Sequence, residues 1–287
     1  MTARVFVVGA GRAGRALTHA MRVAGVDVIG LHGRRPADGI TWGEWPESLE
    51  SATVVLVTVR DAELDGVLRS LLTAPLGAGA VVLHASGNLE PSALDLLRAH
   101  GHDGGTFHPL LPLTDPTRAT EQLRRAWIGI DGDEDARVVS RELAAAIGSR
   151  VLEIPAGAKA RYHAAAEFAS NFPMVLLSTA MRLLTSAGVS EDAARGALGT
   201  LLVSAAQNAN VMGPSAALTG PVARGDVDTV RAHLDALADA PGILELYRGL
   251  SREAITLAAE QGADAGRLEE LRRILKEPSY LSNTSRD

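Results

Sequence analysis

The sequence predicts an α/β fold, in which a doubly wound, mostly parallel sheet is followed by an all-α C-terminal domain. Three observations support this prediction. An apolar strand leads directly into a glycine-rich turn, strand-like and helix-like segments then alternate as far as residue 154, and only helical Ala/Leu patterns follow Pro155. A chain of 287 residues can form two ordinary domains, which we expect at residues 1–154 and 155–287.

A dinucleotide-binding turn is predicted at the start of the chain. An apolar strand over residues 4–8 is followed by Gly9-x-Gly11-x-x-Gly14, which opens a helix over residues 10–23. Gly9 permits the tight turn, Gly11 lets the backbone approach the phosphates, and Gly14 lets the helix pack on the strand. A glycine turn without a ligand is the alternative. The predicted coenzyme-binding residues of this turn are Gly9, Ala10, Gly11, Arg12, Ala13 and Gly14.

The end of the second strand predicts which dinucleotide is bound. The strand over residues 26–32 is followed by Gly33-Arg34-Arg35. NAD-binding proteins usually carry an acidic residue near this point, whereas two guanidiniums suit a 2′-phosphate, because arginine pairs with phosphate oxygens. We therefore predict NADP(H) as the cofactor, bound by Gly33, Arg34 and Arg35. The alternative is a solvated basic turn.

The remaining elements of the sheet domain alternate, and those of the second domain are all helical. Further strands are expected over residues 52–59, 79–85, 105–108, 127–130 and 150–154, with helices over 62–72, 91–99 and 133–147. Asp61 is expected to cap the first of these helices. The C-terminal helices are expected over residues 159–186, 190–211, 226–238, 241–261 and 267–276. We expect a break near Pro173 and a loose tail from Glu277.

Ligands of such sheets bind beyond the C-terminal ends of the strands. The further coenzyme-binding residues predicted at these ends are Thr58, Val59, Arg60, Ala85 and Ser86. Ser86 is also a catalytic candidate, as a donor to a substrate oxygen. His108 is predicted to line the substrate pocket, and His84 fits a hydrogen-bonded core histidine as well as a site residue.

The first helix after the predicted boundary carries the main catalytic candidates. Lys159 and His163 are four residues apart and share a helix face, which we expect to form one wall of a cleft between the domains. Hydride addition to a carbonyl leaves charge on oxygen, and a lysine ammonium can protonate it. Asn171 follows on the same helix as a substrate amide donor or a cap of the helix break. A solvated polar face is the alternative for the whole stripe.

A glycine-rich loop between two later helices is a candidate for substrate binding. Thr219 and Arg224 could hold a substrate carboxylate, because arginine forks onto carboxylates. Arg224 could equally cap a neighbouring helix. Asp226 is expected to cap the helix that follows the loop.

Composition excludes several classes of function. The net charge of −6 argues against nonspecific binding to nucleic acid or to anionic membranes, and the absence of cysteine excludes disulfides and thiolate chemistry. We predict no metal site. No signal-peptide pattern or membrane-length apolar run is present in the sequence, so we expect a cytoplasmic protein.

Several of these segments together resemble a bacterial family that joins a Rossmann-like domain to a helical C-terminal domain long described as of unknown function. The segments are Gly9–Gly14, His84–Gly87, Phe107–Leu110, Lys159–Ala164, Ser170–Asn171 and Leu218–Asp226. The family is similar to ketopantoate reductases, pyrroline-5-carboxylate reductases and β-hydroxyacid dehydrogenases. In the last group a lysine and an asparagine at positions i and i+4 bind the substrate oxygen; Lys159 matches the lysine, whereas His163 stands at the asparagine position. The resemblance also implies a homodimer through the helical domain, in which a partner subunit can complete the active site.

We therefore expect an NADPH-dependent oxidoreductase that reduces a small 2-oxo acid, with 2-dehydropantoate as the best single guess. Lys159 would supply the proton, and His163, Ser86 and Asn171 would orient the substrate. One alternative is an imine reductase of the pyrroline-5-carboxylate type, and another is a protein that binds NADP(H) without turnover.

Overall fold

The computed structural model describes residues 3–113 and 116–276. The described part of the chain divides into two compact units, which meet between Phe172 and Pro173. The first unit contains all the strands of the described residues, and the second consists of helices.

An eight-stranded sheet forms the centre of the first unit. Its strands are β1 (Arg4–Val8), β2 (Asp27–Gly33), β3 (Thr41–Trp42), β4 (Val54–Val57), β5 (Val81–His84), β6 (Gly104–Pro109), β7 (Trp127–Gly132) and β8 (Arg150–Glu153). Their order is β3-β2-β1-β4-β5-β6-β7-β8, and every neighbouring pair is parallel except β6 and β7. The predicted doubly wound, mostly parallel sheet is confirmed.

Helices cover both faces of this sheet, so it has two apolar cores. The helices of the first unit are α1 (Arg12–Val23), α2 (Asp61–Leu71), α3 (Asp95–Arg98), α4 (Pro116–Leu123), α5 (Glu134–Ala146) and α6 (Lys159–Ala169). Alternation along each strand sends successive side chains to opposite cores. In β1, for example, Val5 and Val7 join one core, whereas Phe6 and Val8 join the other.

The helices of the second unit follow a helix break at the end of α6. They are α7 (Asn171–Ser186), α8 (Glu191–Met212), α9 (Pro214–Ala217), α10 (Val227–Ala236), α11 (Pro241–Glu260) and α12 (Ala265–Lys276). The break expected near Pro173 separates α6 from α7 at Ser170, where the backbone leaves the helical region. Pro173 cannot donate to the carbonyl of Ala169, and its ring would clash with that carbonyl in a continuous helix.

Several expectations need correction or restatement. Arg60, not Asp61, occupies the N-cap position of α2, since Asp61 already has helical geometry. The short strand β3 and the helix α4 were not predicted. The boundary expected at residues 154 and 155 marks the end of the strands, whereas the compact units divide one helix later. The tail expected from Glu277 lies outside the described residues.

Candidate functional site: a coenzyme pocket and a buried lysine

The glycine turn between β1 and α1 is hydrogen-bonded to Thr58, the residue that follows β4. Gly9 has a φ of +111°, which side chains other than glycine rarely adopt. The Thr58 hydroxyl donates to the carbonyl oxygens of Gly9, at 2.7 Å, and Val8, at 3.1 Å. A Cβ atom on Gly14 would lie 1.8 Å from the Gly9 oxygen, so the helix needs glycine there to pack on the turn.

Gly11 differs from these two glycines, because a Cβ on it would meet no atom within 4 Å. Packing within the protein therefore does not explain a glycine at this position. It lies at the N-cap of α1, where free N–H groups and the helix dipole favour an anion. The turn thus presents an open, positively polarised surface of the kind that a diphosphate occupies.

A cavity of about 1000 Å³ lies beside this turn. The predicted coenzyme residues that line it are Gly9, Ala10, Gly11, Gly33, Arg34, Arg35, Thr58, Val59 and Arg60. The other predicted coenzyme residues, which are Arg12, Ala13, Gly14, Ala85 and Ser86, are not part of its lining. The cavity is large enough to hold part of a dinucleotide, and the rest of the dinucleotide would extend into solvent.

Arginines dominate the end of the cavity beyond β2. The Arg34 and Arg60 guanidiniums both donate to one oxygen of Glu63, at 2.7 and 2.5 Å, and Arg35 lines the same wall. The side chains of Arg34 and Arg60 are more than three-quarters exposed, so they remain available to a ligand. The pairing with the arginines lowers the pKa of Glu63. This donor set fits a phosphate group on the ribose.

Some residues of this pocket were not predicted from the sequence. Trp45 lies beside His32 with ring centroids 4.5 Å apart, and both line the cavity. Arg15 also lines it and donates to the Ala10 carbonyl at 3.0 Å. The role of Glu63 could not be predicted from the sequence, because its partner across the pocket, Arg34, lies 29 residues earlier in the chain.

Lys159, the main catalytic candidate, is completely buried in the first unit. Its Nζ donates to the Ser86 carbonyl at 3.1 Å and lies 5.3 Å from the centre of the Tyr162 ring. Burial lowers the pKa of Lys159 to about 8, although Asp131, Glu90 and Asp61 attract the charged form. A lysine with this pKa is protonated at neutral pH and can still release its proton, as a general acid requires.

The start of α6 is fixed by a carboxylate that the sequence did not reveal. Glu90 accepts hydrogen bonds from the backbone N–H groups of Gly157, at 3.3 Å, and Lys159, at 3.0 Å. An anion at a helix N-terminus is favourable. Glu90 therefore links the segment after β5 to α6 and helps to place Lys159 next to Ser86.

His108 and Tyr162 form a half-buried pair above the sheet. The Tyr162 hydroxyl lies 2.7 Å from His108 Nδ1, and the pKa of Tyr162 is raised to about 12 by burial. Burial and then the nearby Lys159 charge lower the pKa of His108 to about 4. At neutral pH the tyrosine therefore keeps its proton and the imidazole is uncharged. Tyr162 can then donate to Nδ1, which leaves the Nε2 proton of His108 for a substrate oxygen.

Two glycines make room for these side chains. A Cβ on Gly129 would lie 2.5 Å from the Tyr162 hydroxyl, and one on Gly87 would lie 2.6 Å from the His163 ring and 2.9 Å from the His108 ring. The structure thus brings the predicted residues Ser86, His108, Lys159 and His163 together, as residue numbers alone could not show. Tyr162 joins them from a position one turn after Lys159.

Ser86 and His84 have structural contacts in this loop. The Ser86 hydroxyl accepts from the backbone N–H groups of Asn88, at 3.2 Å, and Leu89, at 3.0 Å, and it retains its own proton to donate. His84 is buried between the Ser86 N–H and the Glu90 carbonyl, and burial lowers its pKa to about 4. The contacts of His84 fit its interpretation as a core histidine.

The other predicted site residues have contacts of their own. Asn171 is exposed, and its amide donates to Glu167 at 2.7 Å. Thr219 and Arg224 belong to the second unit, where Arg224 lies 4.0 Å from Asp226. Asp226 caps α10 through the Thr229 N–H at 3.1 Å, as predicted. The substrate roles of Asn171, Thr219 and Arg224 remain predictions.

Comparison with known families gives one match, over a segment that includes part of the site around Lys159. Residues 126–254 match a family described as a domain of unknown function, DUF2520. The DUF2520 match includes β7 and α6, and it agrees with the resemblance stated from the sequence. Among curated proteins, a search finds no match to this chain.

Solved structures share the fold over nearly the whole chain. Protein TM1727 from Thermotoga maritima is 25% identical with a TM-score of 0.73, covering 90% of this chain and 99% of its own. BF3122 from Bacteroides fragilis, provisionally described as an NADP oxidoreductase, is 20% identical with a TM-score of 0.69, covering 88% and 98%. A pyrroline-5-carboxylate reductase from Coxiella burnetii is 13% identical with a TM-score of 0.60, covering 91% and 98%. The chain is therefore similar in fold to Rossmann-type reductases.

Membrane-spanning helices and metal-binding clusters are both absent from the part of the chain that the structure describes. No helix among them combines the length and the hydropathy that crossing a bilayer requires. No group of three or more histidine, aspartate or glutamate side chains in residues 3–113 and 116–276 is arranged to bind a metal ion.

Proposed function

We propose that this protein is an NADPH-dependent oxidoreductase that reduces a small 2-oxo acid, with 2-dehydropantoate as the best single candidate. One observation carries the proposal: an arginine-lined dinucleotide pocket and a buried, titratable lysine lie in the same compact unit. A site that only bound the coenzyme would have no use for Lys159, whose charge is costly to bury.

The residues present fit this coenzyme. The open surface at Gly11 would take the diphosphate, and Arg34, Arg35 and Arg60 would take the 2′-phosphate. When bound, the reduced nicotinamide supplies a hydride. The fold of BF3122 and of the pyrroline-5-carboxylate reductases, one of them solved from Plasmodium falciparum with NADP bound, supports the same choice of coenzyme.

The protein's own part in the reaction is to hold the substrate and provide a proton. Lys159 would protonate the oxygen that gains charge, and its pKa of about 8 keeps it protonated at neutral pH. The His108 Nε2 proton, His163 and the Ser86 hydroxyl would orient the substrate next to it. Asn171, Thr219 and Arg224 are also proposed to contact the substrate.

The second candidate is reduction of a cyclic imine of the pyrroline-5-carboxylate type. The similarity in fold to pyrroline-5-carboxylate reductases, and to a reductive aminase from Aspergillus terreus with a TM-score of 0.55, favours it. An iminium substrate already carries its proton, so it needs no strong acid from the protein. The two candidates therefore predict different pH–rate profiles, with an alkaline decrease set by Lys159 only for the oxo acid.

A substrate screen tests the proposal. NADPH oxidation is followed by absorbance with a panel of 2-oxo acids and cyclic imines, in wild type and in Lys159→Ala. We expect turnover of at least one oxo acid, abolished in the variant with NADPH affinity largely retained. Tight NADPH binding without oxidation across the whole panel would overturn the proposal and support a protein that binds the coenzyme without catalysis.

We also propose that the protein is a homodimer through its helical domain. Helices α7 and α8 expose large apolar side chains along their length, including Val175, Leu201, Val203 and Val211. Apolar surface of this extent usually marks an interface. Sedimentation of wild type should give twice the chain mass, and Leu201→Arg should shift it toward the monomer. A monomeric wild type at micromolar concentration would contradict the proposal.

A further inference from the structure

Three polar side chains form a buried row on one face of the sheet. The strand register pairs His84 of β5 with Thr106 of β6, and Thr106 with Asp131 of β7. All three are less than a tenth exposed. The next residues along β6 and β7, Phe107 and Ile130, point to the opposite face and are apolar core residues. The polar row is therefore confined to the face that lies under α6.

Asp131 is the acidic member of this row, and half of its carboxylate is unpaired. Its Oδ1 accepts from the Gly132 N–H at 2.7 Å, whereas Oδ2 is buried and has no hydrogen-bond partner within the described chain. The Thr106 hydroxyl beside it is also buried and unpaired. A buried carboxylate is costly unless an opposite charge or further hydrogen bonds compensate it.

Two opposite charges act on Asp131, Lys159 of α6 and Arg137 of α5, and Arg137 already pairs with Glu134 of its own helix. Gly129 lies two residues before Asp131 on β7, hence on the same face, and the Tyr162 hydroxyl packs against it. Lys159 lies one helical turn before Tyr162 and is completely buried. Its ammonium has three protons to donate, and the Ser86 carbonyl accepts one of them.

Other charged and titratable groups also face Lys159, but they are less suited to be its counter-charge. They are Glu90, which precedes the turn leading to α3, Asp61 at the start of α2, His84 of β5, His108 of β6 and Tyr162 of α6 itself. Glu90 already binds two backbone N–H groups, and Asp61 is exposed. The histidines and the tyrosine are neutral at the pH where Lys159 titrates.

We infer that Asp131 is a positioning residue: its carboxylate is the buried counter-charge that holds the Lys159 ammonium charged and in place over the sheet. The catalytic meaning of this role rests on the proposed function, whereas the electrostatic attraction between Asp131 and Lys159 does not. Without Asp131, burial would act on Lys159 with less opposition, and the lysine would lose its proton at a lower pH.

The composition of the chain allows a direct measurement. Of the 28 basic residues only Lys159 and Lys276 are lysines, so selective isotope labelling gives two side-chain NMR signals. Lys276→Arg assigns them. The pKa of Lys159 is then read in wild type, in Asp131→Asn and in the matched control Asp135→Asn, which removes an exposed carboxylate from the nearby α5.

We expect Asp131→Asn to lower the pKa of Lys159 by about one pH unit or more, and Asp135→Asn to leave it almost unchanged. An unchanged or increased value in Asp131→Asn would overturn the inference. If that variant does not fold, a pH titration of wild type provides the test. The chemical shift of the Lys159 signal should then show a second step at acid pH, as Asp131 becomes protonated. The same step should persist in Glu90→Gln. Absence of the step would equally overturn it.

Activity separates this inference from the proposed function. If Lys159 is the proton donor, the alkaline decrease of kcat/KM moves to lower pH in Asp131→Asn by the same amount as the lysine pKa. A lower lysine pKa with an unmoved pH–rate profile would support the role of Asp131 as counter-charge and reject Lys159 as the acid.

Discussion

Replacing Lys159 with methionine should make the protein more stable at neutral pH and much less active. Methionine has a similar length and can fill the buried space without a charge. The prediction depends on the lowered pKa of Lys159, about 8 in the folded chain against 10.5 for an ordinary lysine. Because the folded protein binds this proton less tightly than the unfolded chain, folding at pH below 8 includes the cost of burying the ammonium.

The size of the effect follows from that difference. Each pH unit of difference in pKa corresponds to about 1.4 kcal/mol, so the full cost is about 3 kcal/mol below pH 8. Losing the bond from Lys159 to the Ser86 carbonyl offsets about 1 kcal/mol of the gain. Lys159→Met should therefore raise the free energy of unfolding at pH 7 by about 2 kcal/mol. It should lower kcat by about 10²- to 10⁴-fold, as loss of a general acid does.

Urea denaturation at several pH values measures the stability. Wild type should gain stability relative to Lys159→Met as the pH rises from about 8 to about 10.5, because the wild-type ammonium loses its proton over this range. Comparison of the two proteins cancels the other titrating groups. A variant that is less stable than wild type at pH 7, by an amount independent of pH, would refute a depressed lysine pKa.

Three further predictions concern the pocket and the pair of His108 and Tyr162. Gly14→Ala should destabilise the fold by several kcal/mol, because its Cβ would lie 1.8 Å from a backbone oxygen. Gly11→Ala, in contrast, should leave the stability nearly unchanged and weaken NADPH binding as measured by calorimetry. Glu63→Gln should tighten NADP⁺ binding several-fold, since it removes the negative charge that competes for Arg34 and Arg60. Tyr162→Phe should lower kcat/KM about tenfold by freeing the His108 ring, without a change in NADPH affinity.

Each of these has a control in the same chain. Asp65→Asn changes a carboxylate on α2 that pairs with Arg69, so it should not alter NADP⁺ affinity. Tyr247→Phe breaks an equivalent tyrosine–histidine contact of 2.9 Å in the second unit and should not affect catalysis as Tyr162→Phe does. Weaker NAD⁺ binding in Glu63→Gln would indicate that this carboxylate holds a ribose hydroxyl. Equal effects of Gly11→Ala and Gly14→Ala on stability would contradict the ligand role of Gly11.

The sequence predicted the parts of the fold that depend on local patterns. Apolar runs marked the strands, and the spacing of Gly9, Gly11 and Gly14 marked the turn, because local geometry requires glycine at positions 9 and 14. Asp61 shows where local reasoning is limited. A cap is decided by the backbone angles of one residue, and the helix begins one position earlier than the residue type indicated.

The buried site could be predicted only in part. Lys159 was recognised as a candidate from its helix face, but its burial depends on Ser86, 73 residues earlier in the chain. Glu90 and Asp131 look ordinary in sequence, and their importance arises from strands and helices that meet only in the folded unit. Asp131 did carry one signal, since it alternates with the apolar Ile128 and Ile130 on β7.

Titration calorimetry of NADP⁺ and NAD⁺ tests the central claim most directly, namely that the guanidiniums beyond β2 bind the 2′-phosphate. Wild type should bind NADP⁺ at least tenfold more tightly, and Arg34→Ser combined with Arg35→Ser should remove that preference while NAD⁺ affinity stays the same. Equal binding of the two coenzymes by wild type would contradict the account.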